Sequence, residues 1–274
     1  MNLDKKTVNS FSDQWVRYDQ SGMDNKEAIK IFKSYFSIFP WKKISKSSSG
    51  FDMGCGTGRW AKFVAPKVGK LHCIDPSEAI HVAKKKLKKF KNIKYYQKSL
   101  DQRSLKANSQ DFGYILGVLH YVPNAQEAIK SCVKLLKPGA PILMYVYYSL
   151  DNRPLWFKLL WNFSNLLRLI ISKLPKIFNF FICDVIALFI YYPLARFSLI
   201  LEKIGLNFNN FPLYFYRHLS FYVMRTDSRD RFGSPMEKRY SKKEINLMMK
   251  NAGLEKIKFK NSLPFWTVVG FKKK

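Results

Sequence analysis

Acidic residues are scarce in this chain: 19 Asp and Glu stand against 48 Lys and Arg, a net charge of +29 over 274 residues. Cysteine is scarcer still. Cys55, Cys73, Cys132 and Cys183 lie far apart and form no CxxC pair, which excludes a disulfide scaffold and a cysteine zinc site, and no metal centre is expected. The first twenty residues contain no apolar stretch behind a basic start, so no secretory signal is read and a reducing, cytoplasmic setting is expected. Long apolar runs are also few. One, 177–195, has Asp184 as its only charge, near the middle, and Pro193 near its end. A membrane span needs ~20 apolar residues, and a central Asp costs ~3 kcal/mol on insertion scales, so the composition argues against crossing.

What is present is enough to fold. With 47% hydrophobic and 24% charged residues, the chain can bury a full core, and disorder is excluded. The positive field would attract phosphates, of nucleic acid or of anionic lipid. Lysines scattered over solvated faces, as in the run 84–89 and the tail 272–274, would give the same count without a partner.

Helical spacing over 26–39, stopped by Pro40, makes residues 1–45 a helical preface. From Gly50 the pattern alternates. Strands are expected at 50–53, 70–74, 93–97, 112–116 and 141–148, with helices at 60–68, 77–90 and 125–136 between them. Such alternation predicts βαβ units and a mainly parallel sheet over 46–150. Residues 151–235 break the rhythm with dense aromatics and aliphatics. In 236–274, Ser241 and Glu244 have capping-box spacing, and two closing strands are expected at 256–260 and 266–271.

The stretch Asp52-Met53-Gly54-Cys55-Gly56-Thr57-Gly58 sits between a strand and a helix, where glycines let the backbone turn tightly against a ligand. The pattern is ambiguous alone, because 56–61 also satisfies the dinucleotide fingerprint GxGxxA. Asp75, ending the next strand, is placed to meet ribose hydroxyls in either case. Asp52 discriminates: a carboxylate there repels a pyrophosphate but receives an ammonium group.

Four ordered segments carry a resemblance: the 52–58 loop, Asp75-Pro76-Ser77, the stretch 111–123 (DFGYILGVLHYVP) and Leu135-Leu136-Lys137-Pro138-Gly139. Together they resemble the class I S-adenosylmethionine-dependent methyltransferases, of the quinone-biosynthesis and type 11 kind. The resemblance implies an α/β, Rossmann-like seven-stranded, mostly parallel sheet with helices on both faces, and a helical, aromatic-rich insertion after the fifth strand. It implies S-adenosyl-L-methionine as cofactor, with Asp52, Gly54, Cys55, Gly56, Thr57 and Gly58 around the methionine moiety. Asp75 and Pro76 would lie at the ribose, Ser99 and Leu100 at the adenine, and Leu116, Gly117 and His120 near the reacting methyl. Many relatives place an Asp where Ser99 stands, so the adenine contact here is weaker. The segment 11–18, with Trp15 and Tyr18, resembles an aromatic preface that closes over the cofactor; the alternative is that both rings pack on the domain.

Methyl transfer depends on alignment more than on acid–base machinery. His120 is the candidate base where a proton must leave. Tyr147, Tyr148, Tyr214, Tyr216 and His218 are candidates for the acceptor. The acceptor is expected to be a small molecule or a lipid-linked one, methylated on oxygen, carbon or nitrogen. The insertion is either a helical lid or an interfacial element meeting anionic membrane at its inner face. Two other classes compete: an NAD(P)-binding oxidoreductase, allowed by GxGxxA, and a basic RNA-binding or RNA-modifying protein. The Asn/Asp-Pro-Pro-Tyr motif of enzymes acting on flipped bases is missing, and nucleic acid is the less favoured partner.

Overall fold

The computed structural model describes residues 2–100, 102, 105–206 and 210–274. In chain order the elements are α1 (Lys5–Arg17), α2 (Asn25–Tyr35), β1 (Ser49–Met53), α3 (Ala61–Val64), β2 (Lys70–Ile74), α4 (Ala79–Lys86), β3 (Ile93–Tyr96), β4 (Phe112–Leu116), α5 (Ala125–Leu135), β5 (Pro141–Tyr145), α6 (Leu155–Ile171), α7 (Lys176–Ile186), α8 (Tyr192–Lys203), α9 (Phe221–Gly233), α10 (Lys242–Asn251), β6 (Leu254–Phe259) and β7 (Thr267–Lys272). They form two compact units. The first holds residues 1–20, 29–149 and 236–274; the second holds 21–28 and 150–235. The expected preface 1–45 is therefore not one piece: its segment 21–28 belongs with the second unit, where Glu27 accepts from the Ser220 backbone N–H and hydroxyl and caps α9.

The first unit is built on a seven-stranded sheet of order β3-β2-β1-β4-β5-β7-β6. Strands β1 to β5 pair in parallel, whereas β7 runs antiparallel to both β5 and β6. The central strands read as continuous apolar runs because helices cover both faces. β4 is buried at every position, and β1 at all but its first. Ile129, Cys132 and Val133 of α5 and Ile245 and Met249 of α10 join this core. The capping box at Ser241 and Glu244 forms as the spacing implies.

Several boundaries are shorter than the patterns suggest. The helix expected over 60–68 is α3 plus a 3-10 turn, because Pro66 removes a donor. The one expected over 77–90 begins only at Ala79, since Ser77 is held by Asp75. The strand expected to reach Tyr148 ends at Tyr145.

The second unit consists of α6 to α9 with short turns. The helix from Lys176 to Lys203 is continuous for 28 residues, passing through a π turn at Ala187–Tyr191 and through Pro193. Pro193, which argued against a span, lies inside this helix without ending it. A π turn precedes it, the kind of local irregularity at which a helix absorbs a missing N–H donor. By length and composition alone this helix is long and apolar enough to cross a membrane.

Strands β1 and β4 interlock through a reciprocal exchange of glycine and phenylalanine. Gly50 pairs with Phe112, and Phe51 with Gly113. A Cβ on Gly113 would stand 2.2 Å from the Phe51 ring, and one on Gly50 2.3 Å from Phe112. With both rings fully buried, neither can give way. Gly113→Ala is expected to lower stability by about 1–3 kcal/mol, the usual range for overpacking. The fall in Tm on thermal denaturation, compared with the wild-type chain, measures it.

Candidate active site

The site lies at the carboxyl ends of β1, β2 and β4, where parallel sheets present their loops to ligands. The loop after β1 is tied down when the Gly54 and Cys55 backbone N–H groups donate to the Ile74 carbonyl, at 2.7 and 3.2 Å. Gly54, Gly56 and Gly58 all have positive φ (73°, 51° and 74°). At Gly56 a side chain would be strained, and the direction it would take is bounded by the Trp15 indole Nε1, 3.7 Å from an ideal Cβ. Thr57 and Cys55 are buried in this turn. Burial and the neighbouring Cys73 hold the Cys55 thiol well above its ordinary range, so it is no nucleophile.

Two buried carboxylates flank the loop. Asp75 Oδ2 accepts from the Gly56 N–H at 2.8 Å, and Oδ1 accepts from the Ser77 N–H and hydroxyl at 2.9 and 2.5 Å. Burial raises its pKa, and these three hydrogen bonds act against the rise. Pro76, half-buried, shapes the turn between Asp75 and Ser77. Asp52 differs. It is 1% exposed, and its Oδ2 has no hydrogen-bond partner. Burial pushes its pKa up to about 8; Tyr114, its register partner on β4, pulls it down, and the charge of Asp75 adds to the rise.

At the end of β4, Leu116 is buried and Gly117 turns the chain with φ +80°. A 3-10 turn, Leu119–Tyr121, then carries His120, which is fully buried. Its Nδ1 accepts from the Tyr147 backbone N–H at 3.2 Å. The ring stacks on that of Tyr147, with centroids 3.6 Å apart and planes at 12°. Burial first, and the positive charge of Arg239 second, push the imidazole well below its ordinary pKa. Neutral and accepting at Nδ1, the ring carries its hydrogen on Nε2, which is buried with no partner. That tautomer is a donor, the reverse of what a base requires.

Aromatic rings form an arc around this histidine. Trp60 meets Tyr35 at 5.3 Å and Tyr35 meets Tyr145 at 4.8 Å. The arc continues through Tyr147 and Tyr121, whose hydroxyls lie 3.3 Å apart, to Phe11 and Trp15. Helix α1 supplies the last two rings, and Ser12 on it accepts from the Glu78 N–H at 3.2 Å. Trp15 thus lies over the glycine loop. Tyr18 is buried at the C-cap of α1.

Not every expected residue joins this set. Tyr148 turns away, against Phe265 and Trp266, because successive residues in extended chain alternate sides. Ser99 is buried, its N–H donating to Gln102 Oε1, and Leu100 packs against the main core. Tyr214, Tyr216 and His218 belong to the second unit, where Arg217 covers Tyr214, Tyr216 packs on Tyr191, and His218 pairs with Glu202 at 2.7 Å. Residues the sequence reading did not assign are Phe11, Tyr35, Trp60, Tyr121, Tyr145 and Arg239. The i, i+2 spacing of Tyr145 and Tyr147 at a strand end, which puts both on one face, was the available signal.

The sheet order bears on the dinucleotide alternative. An antiparallel strand set between β5 and β6 departs from the 3-2-1-4-5-6 order of the dinucleotide fold, so the GxGxxA match at 56–61 loses its context. Comparison with known proteins agrees. Residues 51–144 match the family described as Methyltransferase domain. The ubiquinone biosynthesis O-methyltransferase of Coxiella burnetii is 27% identical over 154 residues, 56% of this chain and 64% of that protein. The demethylmenaquinone methyltransferase of Staphylococcus aureus is 31% identical over 105 residues, covering 36% and 43%. The chain thus spans just under two thirds of the first relative's length. Among solved structures, a SAM-dependent methyltransferase of Thermotoga maritima superposes with a TM-score of 0.51 at 16% identity, covering 98% of this chain and all of that one. Residues 51–144 of the first unit are thus similar to the methyltransferase domain, on a seven-stranded sheet of the same fold.

Proposed function

We propose that the chain transfers a methyl group from S-adenosylmethionine to a ring-bearing small-molecule acceptor, lipid-linked and of the phenol or quinone type, at the inner face of a membrane. The observation that carries the cofactor is Asp52. A buried carboxylate with an unpartnered oxygen, held beside a glycine loop and in the field of Asp75, is a site for a cation with ribose hydroxyls and repels a pyrophosphate. The methionine ammonium suits Asp52. Asp75, two of whose oxygens already accept from the loop, keeps lone pairs for ribose hydroxyls. Trp15, Gly56, Leu116 and Gly117 would enclose the cofactor's remaining surface.

When bound, the cofactor supplies an electrophilic methyl on a sulfonium. The protein's task is to align an acceptor with it and to exclude water. The arc of Tyr35, Tyr121, Tyr145 and Tyr147 suits a flat ring, and the names of the relatives point to the same chemistry. His120 Nε2–H would donate to an acceptor oxygen, orienting it and favouring its anionic form, with Arg239 keeping the imidazole neutral. The lipid-linked acceptor and the membrane location rest on the apolar character of 151–235.

Three outcomes test this reading. S-adenosylhomocysteine, measured by calorimetry against NADH, is expected to bind alone of the two. Its affinity should rise from pH 6 to pH 8 as Asp52 ionises, with a proton released to the buffer, and Asp52→Asn should weaken it at least tenfold and flatten the pH response. In the free protein the sign reverses. A carboxyl raised from ~3.9 in the unfolded chain to about 8 in the fold costs stability progressively as pH climbs through that window. Asp52→Asn should therefore raise Tm at pH 8 and leave it nearly unchanged near pH 4. For His120, the glutamine variant keeps a donor and should retain most of kcat/KM, while alanine loses about 100–1000-fold, the scale of a lost oxyanion donor. A kcat/KM profile with an ionisation near pH 6.5 that vanishes in His120→Gln would refute the donor role.

A further inference from the structure

We propose that the second unit is an interfacial membrane module, which lays the outward faces of α6 and of the 176–203 helix into the headgroup and upper acyl region of an anionic bilayer. This inference stands apart from the methyl-transfer reading and does not depend on it.

The unit buries a polar set beside a small apolar cluster around Ile186, Met224 and Phe232, and exposes apolar faces on its outside. Its most polar helix, α9, is packed by α6 and α7, and Thr226, Ser228, Arg229 and Arg231 are buried there. Arg168 and Asn179, on the inward sides of α6 and α7, are 4% and 3% exposed. Arg168, Asn179, Thr226 and Ser228 are satisfied by the unit itself, Thr226 by the Val223 carbonyl. Arg168 donates to the Ser234 and Pro235 carbonyls, Asn179 to the Ile171 carbonyl, and Ser228 to the Cys183 carbonyl. Asp184, the one charge in the apolar run, receives both nitrogens of Arg225 at 2.7 and 2.5 Å.

The outward faces are the reverse. All the exposed large hydrophobic side chains among the described residues, except Val16 and Leu247, fall between 155 and 206. On α6 they recur every three or four residues, as in Trp156, Leu159, Phe163, Leu166 and Ile170, so they share one face. On the long helix Phe178, Phe181 and Phe189 are 60%, 64% and 70% exposed. A helix in water turns these faces inward. Single exposed hydrophobes are ordinary, but a continuous set is not.

Charge selects a lipid surface over a second copy of the chain. Between 155 and 206 the acids are Asp184 and Glu202, each paired with an arginine. The cations Lys173, Lys176 and Lys203 lie exposed at helix ends. With +29 overall, two copies repel and anionic headgroups attract. The same lysines set the depth. Driving the α6–α7 turn through the bilayer would carry Lys173 and Lys176 into hydrocarbon, whereas helices lying in the interface let their stems reach back to the phosphates.

Flotation of the full chain with vesicles of phosphatidylcholine and phosphatidylglycerol tests the proposal. The protein should float with the vesicles, and more weakly with phosphatidylcholine alone. Acyl-brominated lipid should quench the fluorescence of a variant retaining Trp156 as its sole tryptophan, or of the full chain if that variant misfolds. Phe178→Ser/Phe181→Ser/Phe189→Ser, with the wild-type circular dichroism spectrum, should lose at least tenfold in partitioning. The proposal is overturned if the protein stays at the bottom of the gradient, or binds with no quenching and is fully released by salt. It is equally overturned if the triple variant partitions as wild type, or if the chain runs as a detergent-free dimer with Trp156 shielded.

Discussion

The first unit depends on a buried carboxylate that receives a backbone N–H across a glycine turn. Asp75 holds Gly56 with one oxygen and Ser77 with the other, so the loop after β1 and the turn after β2 become one object. The β1–β2 register, with Met53 opposite Ile74, brings these two strand ends level. Everything that meets the site is measured from that object: Trp15 over Gly56, Asp52 beneath the loop, and Val118 against Gly54. Carboxylates are costly to bury, and this one is kept by three donors that the loop itself supplies.

The scarcity of acids gives Asp52 its meaning. In a chain this basic, acids are mostly put to structural use. Asp4 caps α1, Glu244 caps α10, Asp111 holds the Ser49 N–H and Lys137, and Glu237 holds Arg239. Asp52 is given a tyrosine on one side and a second carboxylate nearby, an arrangement that raises its pKa. A fold that pairs its other acids so thoroughly has the means to pair this one as well. Its Oδ2 instead has no hydrogen-bond partner, and the raised pKa costs stability as pH climbs toward 8.

Much of this was legible in the sequence, for reasons that can be traced. The strands over 70–74 and 112–116 fall where the apolar runs place them, because a strand covered on both faces must be apolar throughout. The Gly54–Gly58 turn and Asp75 were legible because their chemistry is local. The aromatic arc was not. Tyr35 comes from α2, Tyr121 from the turn after β4 and Tyr145 from β5, and only the sheet order brings them together. The tautomer of His120 was hidden for a similar reason, being set by a backbone N–H 27 residues away at Tyr147. Pro193 weighed against a span in the sequence, yet a proline's effect on a helix depends on the turn before it, and a π turn has no sequence signature.

The second unit shows where hydrophobic patterning stops being sufficient. Period and composition identify helices over 151–235, but an apolar stripe at helical spacing has the same appearance whether it faces a core or a lipid. The direction is settled by where the polar residues go. Arg168 and Asn179 sit on helices otherwise rich in Leu, Phe and Ile, and a water-soluble packing would turn them outward. Instead their donors reach carbonyls inside the unit, and a stripe of large side chains that includes Phe163, Ile170, Phe178, Phe181 and Phe189 is left outside. Burying an arginine requires full satisfaction by neighbours, which α9 and the segment after it supply. A helical unit satisfies its polar groups internally, at the cost of exposing its apolar ones, when its surroundings offer few hydrogen bonds. That inversion of the usual order is a property of the whole unit, and no single residue within 151–235 could have revealed it.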